Sequence, residues 1–217
     1  MKGMKMKRTI LFDLDGTLTD SAEGIINCTQ LALRHFGLPI PERKDMEFVV
    51  GPPLRDSFLR LGVAEADVEK AIEIYRSRYV PIGMFENTPY PGITAMLAAL
   101  KQAGHELYVA TSKPEGMATA ILEKFQLSGY FDKIYGASLD GSRDSKDKVI
   151  AYVLEELGPR ENIVMVGDTH YDVEGAAMYG IKTIGVSWGF GKVQDMVAAG
   201  AIDIVDSPAQ LLKKLLK

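Results

Sequence analysis

The chain is poor in residues that form covalent cross-links or bind soft metals. Its 217 residues include one cysteine, Cys28, and three histidines. A single cysteine cannot form an internal disulfide, and without a His–Cys cluster nothing favours a zinc site. Cys28 falls within a helical pattern, so we interpret it as a small packing residue. Cysteine usage of this kind is typical of a reducing environment, and we expect a cytoplasmic location.

The sequence also lacks long apolar runs and a net positive charge. No stretch approaches the roughly 20 apolar residues of a membrane span. The basic cluster near the N-terminus (Lys2, Lys5, Lys7 and Arg8) lacks the apolar core of a secretory signal. The balance of 25 basic against 29 acidic residues argues against a broad nucleic-acid surface. We therefore expect a globular protein that binds neither membrane nor nucleic acid, as a monomer or weak homodimer.

Hydrophobic periodicity divides the chain into a helical block and an alternating block. A strand is predicted at 8–13, and only helical patterns follow between 21 and 85: 21–36, 42–50, 53–61 and 65–79. Later strands, at 105–111, 133–137, 162–167, 182–186 and 202–205, alternate with helices. This order predicts an α/β fold, a Rossmann-like doubly wound parallel sheet with an inserted all-α cap. We assign 1–18 and 88–217 to the sheet domain and 19–87 to the helical cap.

The segment Phe12–Asp20 is the most informative part of the sequence. Asp13 and Asp15 leave the end of the first strand two residues apart, so they start on the same face. Two carboxylates held this close repel each other unless a cation or a shared proton relieves the repulsion. Packing alone gives no reason for such costly neighbours, and the pair therefore indicates chemistry.

Reactive residue types also occur near the ends of other predicted strands. Thr111-Ser112-Lys113 ends one strand, and Gly167-Asp168 ends another, with Asp172 one turn later; Lys146 starts a helix between them. Because sites in open parallel sheets form at the carboxyl ends of strands, we expect these residues to converge on Asp13 and Asp15.

The chemistry of this set indicates phosphoryl transfer. Asp13, Asp15 and Asp168 supply hard oxygen ligands that suit Mg²⁺. We expect Thr111 and Ser112 to open a helix and to offer hydroxyls and N–H groups to an anion. Singly, each motif has a structural alternative, such as a helix cap or a solvated charge run. Gly185–Gly191 resembles a nucleotide loop only loosely, and a plain loop after a strand is favoured there.

Together, the four motifs resemble those of the haloacid dehalogenase superfamily of phosphohydrolases, over residues 8–217. The insertion after the first motif is similar to the cap of the phosphoglycolate phosphatase-like subgroup. The resemblance implies that Asp13 is the nucleophile and forms an aspartyl-phosphate, while Asp15 is the acid and base. It implies Mg²⁺ bound by Asp13, the Asp15 backbone carbonyl and Asp168. Asp172 would hold the water shell of the metal or orient Lys146.

The resemblance further implies that the phosphoryl group is held by these residues: Gly16, Thr111, Ser112, Lys113 and Lys146. Lys148 competes with Lys146 for the motif position, and we favour Lys146 because it lies nearer the helix start. Arg55 either binds a substrate carboxylate or lies on an exposed helix face.

We expect a Mg²⁺-dependent phosphatase that acts on a small phosphorylated metabolite. Phosphoglycolate is the first candidate substrate and a nucleoside 5′-monophosphate the second. A sugar phosphomutase of the same fold is the rival enzyme class, and a regulatory binding module is the non-enzymatic alternative.

Overall fold

The computed structural model describes residues 7–217, so Lys2 and Lys5 of the basic cluster lie outside the described residues. The backbone forms two compact units. One ends at Leu18 and resumes from Pro89 to Lys217, and the other comprises Thr19–Thr88. No helix in the described part is both long and apolar enough to cross a membrane.

Six of the strands form a single parallel sheet. In spatial order it runs β5–β4–β1–β6–β7–β8, while β2 and β3 pair separately. The predicted α/β fold with a parallel sheet is therefore confirmed. The strands are β1 (Thr9–Phe12), β2 (Thr19–Asp20), β3 (Thr88–Pro89), β4 (Glu106–Pro114), β5 (Lys133–Ala137), β6 (Ile163–Gly167), β7 (Lys182–Val186) and β8 (Asp203–Val205).

Helices connect the strands of the sheet, and three more make up most of the other unit. The three are α1 (Ala22–His35), α2 (Leu54–Arg60) and α3 (Val68–Tyr79). Those of the sheet unit are α4 (Ile93–Gln102), α5 (Glu115–Lys124), α6 (Lys146–Leu157), α7 (His170–Ala177), α8 (Val193–Ala198) and α9 (Pro208–Leu215).

Both faces of the sheet are covered, which explains the nearly continuous apolar strands. On one face, Leu11, Tyr108 and Met165 pack with residues of α6 such as Val149 and Val153. The alternate residues of the central strands are also buried: Ile10, Phe12, Leu107, Val109, Val164 and Val166. Strands buried on both sides are characteristic of parallel sheets with helices on each face.

Three local predictions were wrong. Thr111 and Ser112 do not open a helix, because β4 continues to Pro114 and α5 begins at Glu115. Residues 42–50 form two short 3₁₀ turns, and residues 65–67 form another before α3 begins. In the first case the parallel pairing with β5, which reaches Pro114 after a register shift, keeps the backbone extended.

The helical unit is built on close packing of α1 against α3. Gly24 allows this part of the chain to approach Gly83, because a Cβ at Gly24 would lie 1.8 Å from the Gly83 carbonyl oxygen. Cys28 is fully buried in α1. Arg78 donates two hydrogen bonds of 2.7 Å to the carboxylate of Glu86, which ties α3 to the end of the unit.

Candidate functional site

The carboxyl ends of three neighbouring strands position the candidate site. Asp13 follows β1, and its N–H donates to the Val166 carbonyl of β6 at 2.9 Å, which continues the sheet pairing by one residue. Asp168 follows β6 directly, and Thr111 lies in the last part of β4. Because β1 lies between β4 and β6, these residues share one edge of the sheet. The convergence that strand order predicts is present among them.

Lys146 occupies the centre of this group. It is the first residue of α6 and is only 5 % exposed. Its Nζ lies 2.8 Å from Asp13 Oδ1 and 2.7 Å from Asp172 Oδ1, and it donates to the Ala110 carbonyl at 2.9 Å. Burial alone would lower the pKa of Lys146, but the two carboxylates outweigh it and raise this pKa above its ordinary value.

Lys148 lies elsewhere. Its side chain is about half exposed and pairs with Asp144 at 2.8 Å. The two lysines are two residues apart on a helix, so they project about 200° apart around its axis. Only one of them can face the sheet edge, and in this structure it is Lys146.

Asp172 is a completely buried residue that forms an ion pair with Lys146. It sits in the first turn of α7, where its Oδ2 accepts hydrogen bonds from the N–H and the hydroxyl of Thr169. This capping box leaves Oδ1 for Lys146. Burial raises the pKa of Asp172, and Lys146 opposes that effect.

Asp168 is held by two donors from distant parts of the chain. Thr17 Oγ1 donates to Oδ1 at 3.1 Å, and the Phe190 N–H donates to Oδ2 at 2.9 Å. Burial, together with the carboxylates of Asp172 and Asp13, raises the pKa of Asp168 to about 8. An ionised Asp168 therefore calls for a further positive charge nearby.

A divalent cation fits this requirement. Carboxylate oxygens of Asp13, Asp168 and Asp172 lie within 4.8 Å of one another, and all three residues are buried. Lys146 is the cation paired with two of them. The all-oxygen donor set matches hard metals such as Mg²⁺.

Asp15 is paired with a different lysine. Its Oδ2 lies 2.8 Å from Lys113 Nζ, and both side chains are largely buried. Its Oδ1 is buried and has no hydrogen-bond partner in the described part of the chain. The Lys113 N–H donates to the hydroxyl of Thr111, and Ser112 between them is partly exposed. Lys113 is thus engaged by Asp15, and the phosphate-binding role that the sequence predicts for it stays a prediction.

Gly16 and Arg55 complete the predicted set. Gly16 has φ of +81°, and a Cβ there would lie 2.2 Å from Asp168 Oδ2, so the turn needs glycine both for conformation and for space. Arg55, in α2, forms ion pairs with Glu65 and Glu69 within the helical unit. These surface contacts account for its charge, and binding of a substrate carboxylate stays a prediction.

Sequence reasoning missed the contribution of Thr17 and of the loop after β7. The Trp188 indole N–H donates to the Thr17 carbonyl at 3.1 Å, next to the Phe190 contact with Asp168. The available signal was the cluster of glycines at 185–191, which we interpreted as a plain loop.

The chain is similar in sequence to several known proteins. The model of the haloacid dehalogenase-like hydrolase family matches residues 10–186. The chain is 47% identical over 84% of its length to the tyrosine-protein kinase PtkA of Mycobacterium tuberculosis, but spans only 63% of that protein. It is 42% identical to a 5′-nucleotidase of Pseudomonas aeruginosa, covering 87% of this chain and 86% of the relative.

A further relative and one solved structure carry phosphatase names. A phosphoglycolate phosphatase of Aquifex aeolicus is 34% identical, with 88% of this chain and 89% of the relative covered. The crystal structure of a protein described as a predicted phosphatase, from Clostridium acetobutylicum, superposes with a TM-score of 0.92 at 44% identity. The match covers 97% of this chain and 99% of that one.

Proposed function

Because the chain belongs to the haloacid dehalogenase-like hydrolases, as its motifs predicted, we propose that it is a Mg²⁺-dependent phosphatase of small phosphate monoesters, acting through an aspartyl-phosphate on Asp13. One observation carries the proposal: buried Lys146 joins Asp13 to Asp172 beside a third buried carboxylate, Asp168. These four residues bring together a nucleophile, a fixed positive charge and hard metal ligands, which phosphoryl transfer requires.

Asp13 and Asp168 would hold the metal, with the Asp15 backbone carbonyl as the third protein ligand that the family resemblance implies. Asp172 is engaged by Lys146 and Thr169, so we assign it to positioning the lysine. When bound, Mg²⁺ neutralises charge on the phosphoryl group and lowers the barrier to attack at phosphorus.

In the first half-reaction, a carboxylate oxygen of Asp13 forms a bond to phosphorus as the bond from phosphorus to the ester oxygen breaks. Asp15, once released from its ion pair with Lys113 and protonated, donates a proton to the leaving alcohol. In the second, Asp15 takes a proton from water, whose oxygen attacks phosphorus and releases inorganic phosphate and free Asp13. Lys146, Thr111 and Ser112 bind phosphoryl oxygens throughout and offset their negative charge.

The substrate class we propose is a small phosphorylated metabolite. Phosphoglycolate and nucleoside 5′-monophosphates are the two candidates, and relatives carry the names of enzymes for each. The involvement of Arg55 with Glu65 and Glu69 removes one reason to rank phosphoglycolate first. The ranking of these two candidate substrates is therefore left to their kcat/KM values, measured with this protein.

The test is phosphate release from a panel of both candidates, sugar phosphates and p-nitrophenyl phosphate, with and without Mg²⁺. We expect release that requires Mg²⁺ and is lost in Asp13→Asn, with a hydroxylamine-sensitive phosphoryl-enzyme in wild type. Isomerised sugar phosphate without release would instead identify a phosphomutase. Transfer from ATP to tyrosine would assign the activity that the name PtkA describes, and equal inactivity of wild type and Asp13→Asn would favour a binding module.

A further inference from the structure

The loop that follows β7, residues Trp188–Gly191, surrounds Asp168 on several sides. A Cβ at Gly189 would lie 2.4 Å from Asp168 Oδ2 and 2.4 Å from the Gly16 carbonyl oxygen. A Cβ at Gly191 would lie 2.0 Å from the Asp168 carbonyl oxygen. Neither glycine has a φ in the left-handed range, so backbone conformation does not require glycine at these positions. The lack of space around Asp168 is what requires glycine at both positions.

The same loop also holds the carboxylate group of Asp168 by hydrogen bonds. Its Phe190 N–H binds Asp168 Oδ2, and its Trp188 side chain binds the carbonyl of Thr17, whose hydroxyl donates to Asp168 Oδ1. Both carboxylate oxygens are thus oriented by this loop, one directly and one through Thr17. A carboxylate oxygen accepts more than one contact, so each keeps a site for a cation.

From this geometry we propose that Trp188–Gly191 is a positioning loop that holds Asp168 rigid for a small cation, and so favours Mg²⁺ over Ca²⁺. The inference rests on the metal-binding part of the proposed function. Mg²⁺ requires near-octahedral geometry at short distances, whereas Ca²⁺ accepts longer and more variable ones. Loosening Asp168 should therefore weaken Mg²⁺ binding more than Ca²⁺ binding.

Two variants of the loop loosen Asp168 by different routes. Trp188→Phe keeps an aromatic ring beside Tyr90 but removes the hydrogen bond to Thr17. Gly189→Ala adds a Cβ that clashes with both Asp168 and the Gly16 carbonyl oxygen, so Asp168 must shift or the loop must move away from it. Gly129→Ala is the matched control, since a Cβ there meets nothing within 4 Å and Gly129 belongs to a short surface turn.

The experiment measures Mg²⁺ and Ca²⁺ affinity of the full chain by calorimetry, after circular dichroism confirms folding. Contacts that orient a metal ligand are worth about 10–100-fold in affinity. We expect about a 10-fold loss of Mg²⁺ affinity in Trp188→Phe and more in Gly189→Ala, with Ca²⁺ affinity changed by less than about threefold. Gly129→Ala should match wild type. If Gly189→Ala does not fold, Trp188→Phe decides alone.

Trp188 supplies a second readout, because it is the single tryptophan of the chain. Its fluorescence should change as Mg²⁺ saturates wild type, and Asp168→Asn should abolish that change. Unchanged Mg²⁺ affinity in both loop variants, or equal losses for both cations, would overturn the inference. If wild type releases no phosphate but binds Mg²⁺ as described, the proposed function fails and the loop inference stands. A wild type that binds neither cation overturns both.

Discussion

Replacement of Gly16 by alanine tests how closely the first motif is built around Asp168. Gly16 has φ of +81°, and the added Cβ would lie 2.2 Å from Asp168 Oδ2 and 2.6 Å from its Cγ. Gly104 provides a matched control in the same unit. Its φ is +86°, yet a Cβ there meets nothing within 4 Å. The two substitutions share a conformational penalty and differ in the steric one.

The difference in unfolding free energy isolates the cost of displacing Asp168. Left-handed backbone costs an alanine about 1–2 kcal/mol, which is the whole expected loss for Gly104→Ala. In Gly16→Ala, Asp168 also moves away from the donors of Thr17 and Phe190, and hydrogen bonds to a charged group contribute about 1.5–3 kcal/mol each. Partial loss of both gives about 2–4 kcal/mol more than Gly104→Ala.

Urea unfolding followed by circular dichroism, in buffer with a chelator and at a pH above the Asp168 pKa of about 8, measures both variants without metal and with Asp168 ionised. At about 2–4 °C per kcal/mol, a difference of about 2–4 kcal/mol corresponds to about 4–16 °C in Tm for a chain of this length. Phosphate release should also fall in Gly16→Ala and persist in Gly104→Ala. Equal stability losses would refute the steric argument, because they would show that backbone conformation alone requires glycine at position 16.

Three further predictions concern charged groups. Lys146→Met should destabilise the protein by about 3–5 kcal/mol, since it leaves buried carboxylates without their cation, and it should abolish phosphate release. Lys148→Met should do neither. An inactive Lys148→Met together with an active Lys146→Met would reverse the assignment. The pKa of Asp168 is raised from 3.8 to about 8, so metal-free protein should lose stability as the pH rises between those values. Mg²⁺ should therefore raise Tm more at pH 8 than at pH 6 in scanning fluorimetry, and this pH trend should vanish in Asp168→Asn. The Arg78 hydrogen bonds lower the pKa of Glu86, so Glu86→Gln should lower the free energy of unfolding by about 1–2 kcal/mol at pH 7. In urea titrations this difference from wild type should disappear as the pH falls below about 4. A difference in stability that does not depend on pH would contradict the ion pair.

Much of the site was predictable from local sequence. Asp13 and Asp168 follow runs of apolar residues that read as strands, and the carboxyl ends of parallel strands meet at one edge. The position of each residue at the end of its own predicted strand, together with this rule, therefore sufficed to group them. The prediction failed where a neighbour overrode local preference. Thr111 and Ser112 have the composition of a helix cap, but they lie between Ala110 and Pro114, which both pair with β5, and the strand continues through them.

The role of each charge depended on contacts between distant residues. Lys146 and Lys148 are equivalent by composition, and only the rotation of α6 against the sheet buries one and exposes the other. Thr17 and Asp168 are 151 residues apart and form a hydrogen bond that no local pattern encodes. Glycine at 189 is required by a carboxylate from another strand end.

The sequence by itself determined the order of strands and helices, the family and the residue types at the strand ends. These follow from periodicity and spacing, which act within one element or between consecutive ones. The tertiary structure alone decided which lysine joins Asp13, which donors hold Asp168, and how strongly its pKa is raised. Burial, and the Coulomb and steric contacts that accompany it, arise only when segments far apart in the chain are brought together.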